Sequence, residues 1–296
     1  MASNGNGKQT SFIKKALNAL NPLKLWGGGP VVPVLRLSGT IGAVTPLRPE
    51  LTLSACANAI ERAFSISDAP AVALQINSPG GSPVQSRMIF QRIRDLAREK
   101  KLPVYAFIED VAASGGYELA IAADEIYADP ASIIGSIGVI AASFGFVELM
   151  QKIGVERRVY TAGERKLILD PFQPVRMEDV ERIRRIQSII HKDFIDLVKE
   201  RRGRKIEAAG ESLFTGEFWT GREALELGLI DGIMDIRSKM RERFGEEVRL
   251  RLVPMERALF RRRTGIGLQA QGGFHGLGDE IISSLEARAL WAKYGL

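Results

Sequence analysis

The sequence is poor in the residues that metal, redox and imidazole chemistry require. Its one cysteine, Cys56, can form no disulfide within the chain and no thiolate metal cluster. The surrounding LSACANAIERAF reads as a helix face, which makes Cys56 a buried structural thiol. Two histidines occur: His191 falls inside a long helical pattern and His275 in a glycine-rich tail. Neither sits at a strand exit, so a Ser-His-Asp triad has no imidazole to build on. No group of His, Asp and Glu shows ligand spacing, and neither a GxxxxGKS/T nor a GxGxxG run is present, so no metal and no cofactor is expected. No stretch of about 18 apolar residues occurs, which excludes a transmembrane helix by length. The N-terminus interleaves lysine with apolar residues and lacks the apolar centre of a cleavable signal peptide. A cytoplasmic location is the expectation. The net charge of +6 reflects 41 basic against 35 acidic residues, spread along the chain without interleaved aromatics, and this speaks against a nucleic-acid partner.

Of the 296 residues, 45% are hydrophobic, enough for one large core or a core with a smaller subdomain. Residues 1–30 read as an N-terminal arm and linker ending in GGGP. Within it, residues 11–26 (SFIKKALNALNPLKLW) place Phe12, Ile13, Ala16, Leu17 and Leu20 on one helical face, with Lys14 and Lys15 away from it. Such a segment can lie on an anionic membrane surface, as on the inner membrane, pack on another subunit, or hold no fixed structure. Residues 31–240 read as the folded domain and 241–296 as a partly flexible C-terminal extension, glycine-rich after Arg261.

Inside the domain, VVPVLRLS, AVALQIN, LPVYAFIED and EIYADP read as strands, separated by the helical periods of LSACANAIERAFSI, PVQSRMIFQRIRDLAREKK and VAASGGYELAIAA. This alternation predicts an α/β fold, a parallel sheet flanked by helices, whose active groups lie where loops leave the carboxyl ends of the strands. Met177 to Arg202 reads as one long amphipathic helix, striped by Val180, Ile183, Ile186, Ile190, Phe194 and Leu197, for core or subunit interface.

Two strand exits carry glycine-rich turns, SPGG at residues 78–81 and AASGG at residues 112–116. Each alone is compatible with an ordinary strand-to-helix turn. In the second, Ser114 stands between small residues. A serine hydroxyl needs a partner to take its proton, and where histidine is missing a lysine in an apolar setting can serve. Lys166, followed by Leu167, Ile168 and Leu169 on an irregular segment, fits best; Lys101, Lys152 and Lys192 fall on helix ends or charged faces. The glycines let a substrate backbone approach, and the N–H groups of Gly115 and Gly80 are candidate oxyanion donors. The small neighbours of Ser114 suggest shallow pockets for small or apolar side chains.

In order and spacing, NSPGG (77–81), AASGGY (112–117), ADPASIIGSIGV (128–139), TAGERK (161–166) and the later LFTGEFWTGREALELGLIDGI (213–233) resemble the signal peptide peptidase A-type serine proteases, over about Val31 to Ile233. The resemblance implies a crotonase/Clp-protease-like fold and a Ser-Lys dyad, with Ser114 as nucleophile, Lys166 as general base, Ser136 orienting the lysine, and Gly80 in the oxyanion hole. It also implies a homo-oligomer whose neighbouring subunits wall the cleft, acting on signal peptides or on unfolded or membrane-derived segments. Two alternatives stand beside this reading. One is a crotonase-type acyl-CoA hydratase or isomerase, for which Glu109 and Asp110 are the acids just ahead of the Ser114 turn. The other is a non-catalytic scaffold of the same fold.

Overall fold

The computed structural model describes residues 28–42, 51–163, 165–255 and 288–296. The arm at residues 11–26, His275 and most of the C-terminal tail lie outside the described residues. Among the described residues eight strands follow in chain order: β1 (Val31–Ser38), β2 (Val72–Ser78), β3 (Val104–Ala113), β4 (Glu125–Ala128), β5 (Ile133–Gly135), β6 (Phe218–Thr220), β7 (Gly232–Ile233) and β8 (Arg249–Val253). The helices among the described residues include α1 (Leu53–Phe64), α2 (Pro83–Lys100), α3 (Gly115–Ala120), α4 (Val147–Ile153), α5 (Met177–Arg202), α6 (Gly221–Glu226) and α7 (Ile236–Phe244). They form one α/β sheet flanked by helices, ordered β6-β5-β3-β2-β1-β8, with β4 against β3 and β7 against β4. Every pairing is parallel except β5 with β6. The sheet takes in β8 beside β1, past residue 240 where the sequence reading ended the domain.

Period-two alternation sorts the strand residues onto two faces. Leu35, Leu37, Val72, Leu74, Ile76, Ala106 and Ile108 point into the larger core beneath α1, α2 and α3. Val32, Val34, Ala71, Ala73, Tyr105 and Phe107 face Met240 of α7. The helices start where side-chain acceptors meet their first free N–H groups: Thr52 caps α1, Ser82 caps α2 with Pro83 in its first turn, and Thr220 and Glu223 form a reciprocal capping box on α6.

Two features position the carboxyl end of β3. First, the β2–β3 register is interrupted: Ile76 pairs with Ile108, and Ser78 with Ala112. β3 therefore carries two more residues than β2 across this interval, a bulge that contains Glu109 and Asp110. Asn77 clasps it from both sides, since its Nδ2 donates to Asp110 Oδ2 at 2.6 Å and its Oδ1 accepts from Val111 N at 3.3 Å. Second, the sheet divides there. Tyr105 to Ile108 pair with β4, and Val111 to Ala113 pair with β5.

Behind this end, the C-terminus of α5 is fixed by a buried ion pair. Arg202, 4% exposed, donates to Asp231 Oδ2 at 2.9 Å and through Nε and Nη2 to Gly228 O at 2.9 and 2.7 Å. Asp231 also accepts from Lys205 and from Ile126 N. Burial pushes the Asp231 carboxyl toward protonation, but the hydrogen bonds from Arg202 and Lys205 outweigh it and hold the group below the usual aspartate range.

Candidate active site

Ser114 ends β3 and opens α3 with φ 52° and ψ −123°, a backbone conformation that costs a non-glycine residue about 1–3 kcal/mol. The strain is held by the surrounding sheet: Ser114 N donates to Gly135 O of β5 at 2.8 Å, and its own carbonyl accepts from Tyr117 and Glu118 N at 2.9 and 3.1 Å. Its hydroxyl does not cap the helix and makes no hydrogen bond to any described residue. The N–H of Gly115, in the first turn of α3, has no acceptor within the helix by geometry.

The structure gives the neighbouring glycines a packing role. A Cβ on Gly115 would stand 2.2 Å from Ser86 Oγ of α2, so the space beside the serine is occupied by the protein itself. Gly80 is required twice over: it has φ 99°, and a Cβ there would fall 2.8 Å from both Ala113 O and Ser114 Cβ. The SPGG turn thus abuts the serine, as expected of two adjoining strand exits. The Gly80 N–H, however, donates to Ser78 Oγ at 3.2 Å, and Gly81 is the residue of this turn that faces the cavity.

That cavity, about 710 Å³, is lined by Ser114, Gly115 and Gly81 at one end. Val84 and Met88 of α2, Val139, and Ile190, Phe194 and Leu197 of α5 form apolar walls. It is larger than the shallow pocket expected from the small residues around Ser114, because α5 closes it from a distant part of the chain. Among the charged groups on its wall is Glu118, one helical turn beyond Ser114 and absent from the sequence reading. Glu118 is 6% exposed, and burial pushes its carboxyl up to about 7, with Arg87 opposing weakly. Its signal was present: Glu118 is the lone charge in ASGGYELAIAA, at the i+4 position that shares a helix face with Ser114.

The other expected residues are not all brought together. Ser136 is buried, with φ 50°, directly after the Gly135 carbonyl that anchors Ser114, and its N–H donates to Glu217 O at 2.6 Å. Lys166 lies on an exposed turn whose N–H reaches Gly163 O, outside the wall of the Ser114 cavity. His191 corrects the expectation that no histidine reaches a strand exit: α5 brings its Nε2 to 3.1 Å from Ile137 O, just past β5. Because a carbonyl only accepts, Nε2 carries the hydrogen in that contact and is not a base there. Glu109 is bound by Arg36 at 2.9 Å and by Gln75 at 2.8 Å, and Asp110 by Asn77; Glu109 faces a separate cavity of about 320 Å³. Neither acid lines the Ser114 cavity. Cys56 is buried and donates to Thr52 O at 3.0 Å, as expected of a structural thiol. Among the described residues no group of His, Cys, Asp and Glu could hold a metal ion.

Residues 96–247 match the family model for Peptidase family S49. A protein of Brucella abortus named Na(+)/H(+) antiporter NhaA is 55% identical over 273 residues, 90% of this chain but 37% of that protein. The chain therefore spans little more than a third of the length of that relative. The chloroplastic serine protease SPPA of Arabidopsis thaliana is 32% identical over 71% of this chain and 32% of its own length. A probable protease SohB of Buchnera aphidicola is 33% identical over 75% of this chain and 68% of its own length.

Proposed function

The chain belongs to peptidase family S49, and from that membership and the geometry at Ser114 we propose that it is a serine endopeptidase with a Ser114–Lys166 dyad. The observation that carries this reading is the strained Ser114, its hydroxyl free of partners among the described residues, opening onto a cavity beside the first-turn N–H of Gly115. In the reaction, neutral Lys166 takes the Ser114 proton as Oγ bonds to the peptide carbonyl carbon. The oxyanion is held by the Gly115 N–H and by the Gly80–Gly81 turn, which requires the Gly80 N–H to leave Ser78 Oγ. The C–N bond then breaks, and the lysine ammonium delivers its proton to the leaving amine. Water, deprotonated by the same amine, releases the acyl group and restores the serine.

A solvent-exposed amine keeps its proton at neutral pH, and a lysine becomes a base when another surface removes it from water. Lys166 is exposed and lies off the cavity wall, and the dyad is therefore formed between subunits, with the lysine of one chain over the serine of the next. Exposed apolar side chains in the segments that flank Lys166 in the chain support this assembly: Ile140, Phe144, Ile153, Tyr160 and Val175 are each more than half exposed, and Ile186 and Ile189 are exposed on α5. Ser136 orients the lysine from beside Gly135. The apolar cavity walls favour signal peptides or unfolded, membrane-derived segments as substrates. The Brucella protein that contains a matching segment bears the name of an antiporter, which supports work at a membrane face. Among the described residues no helix is long and apolar enough to cross a membrane. An acyl-CoA hydratase is disfavoured, since its two candidate acids are engaged in the β3 bulge.

The test combines labelling with complementation. A fluorophosphonate probe is expected to label Ser114, with the label absent in Ser114→Ala and strongly reduced in Lys166→Ala. Mixing the two inactive variants through a dissociation and reassembly cycle is expected to restore about a quarter of the parent activity, because one Ser–Lys pairing in four is then intact in a head-to-tail ring. No recovery at all would place the dyad within one chain, and undiminished labelling in Lys166→Ala would remove the lysine from the mechanism.

A further inference from the structure

Glu118 is not used by the reaction above, yet it is a buried carboxyl on the cavity wall. It is 6% exposed and its side chain makes no hydrogen bond or ion pair with any described residue, and a buried ionised carboxylate is expensive unless a partner is supplied. Its side chain lies on the wall of the same 710 Å³ cavity as Ser114, so a molecule entering the cavity can supply that partner. The charged groups that line the cavity with it are Arg87 from α2 and Asp193, Asp196 and Glu200 from α5. Arg87 is exposed over the Phe90 ring, 5.4 Å from its centroid, and Asp196 is already paired with Lys192. The balance facing the cavity is acidic, and the walls between are aliphatic or aromatic.

Long aliphatic stems with a cationic tip fit such a surface, the stem on the apolar wall and the tip on the carboxylate. We infer that the cavity is a substrate subsite for a lysine or arginine side chain, with Glu118 as its specificity-determining residue. The inference rests on the peptidase reading for its substrate being a polypeptide. It implies that substrates combine an apolar stretch with a basic residue at one fixed position relative to the bond cut. It also implies that selection is pH-dependent, because the carboxyl pairs with a cation only when ionised, and it loses its proton near 7.

The full chain carrying Ser114→Ala is titrated with fluorescent peptides of one apolar sequence, in which a single lysine, norleucine or glutamate is moved through the positions on both sides of the cut. At about pH 8.5, one position is expected to favour lysine over norleucine by about tenfold or more, the order of one well-buried charged contact. At about pH 5.5 that preference is expected to fall several-fold. Glu118→Gln in the same background is expected to abolish the preference at both pH values, whereas Arg87→Gln, which removes the competing cation, raises it. Equal or tighter binding of norleucine at every position, or a lysine preference that survives Glu118→Gln, would overturn the proposal. Hydrolysis of the same peptides by the parent chain separates the two readings. Cleavage without lysine preference removes the subsite alone, and lysine-selective binding without cleavage of any peptide removes the peptidase reading alone.

Discussion

Replacing Glu118 by glutamine should make the protein more stable above neutral pH, and the gain follows from proton linkage. In the folded chain, burial raises this carboxyl from 4.5 to about 7, so between those values the native state keeps a proton that the unfolded chain has lost. Stability therefore declines as pH rises through this window and reaches a lower plateau once both states are ionised. At about 1.36 kcal/mol for each tenfold in proton affinity, the plateau lies about 3 kcal/mol lower. Glutamine has the same shape and no charge at any pH, so Glu118→Gln should match the parent near pH 4.5 and exceed it by up to about 3 kcal/mol near pH 8. For a domain of this size that corresponds to roughly 6–12 °C in Tm. The measurement is a pair of thermal melts of parent and variant at matched pH values, read as their difference so that other titrations cancel. A difference that stays constant from pH 4.5 to 8, or a variant less stable than the parent at pH 8, would show that Glu118 is solvated or paired, and would refute the electrostatic argument behind the subsite as well.

Two further outcomes follow from the same kind of reasoning. Asp231→Asn leaves Arg202 buried without its counter-charge and should cost about 3–5 kcal/mol in denaturant unfolding, a loss of less than about 1 kcal/mol meaning that the pair is dispensable. Because the Asp231 carboxyl is held below the usual aspartate range, its contribution is present above the unfolded value of 3.8 and disappears as pH falls through the lower folded one, so parent and variant melts should converge in acid. Cys56, its thiol pushed up to about 12 by burial, should resist a thiol reagent in the native protein and react stoichiometrically on unfolding; rapid native labelling would show that α1 opens.

Local pattern made much of the scaffold legible. The alternation of β2 and β3 with amphipathic helices implies parallel strands and right-handed crossovers, and a serine set among alanine and glycine at a strand exit marks the turn at Ser114. What stayed hidden depends on chain segments far apart in sequence. The α5 stripe was readable, but nothing in it says that Ile190, Phe194 and Leu197 would close a cavity over Ser114, or that His191 would come to rest on the Ile137 carbonyl. Gly115 read as room for substrate approach or as an ordinary strand-to-helix turn, and the packing against Ser86 that also requires a glycine there was not legible. Glu118 carried a periodicity signal, but its meaning lies in desolvation by α2 and α5, which no local pattern encodes.

The surplus at Glu109–Asp110 is even-numbered, and pleat geometry makes that matter. Val104, Ala106, Ile108 and Ala112 all remain on one side of β3 across the interruption, so the strand absorbs two extra residues without inverting its inside and outside. Because Ser78 still pairs with Ala112, the extra residues are looped out and add no reach, and the serine stays level with Gly80, where a Cβ would stand 2.8 Å from Ser114 Cβ. Shortening this loop of strand by two should keep Ala112 opposite Ser78 and leave the serine in place, at the loss of the Asn77–Asp110 contact. Shortening it by one would turn Ala112 outward and lose the fold itself.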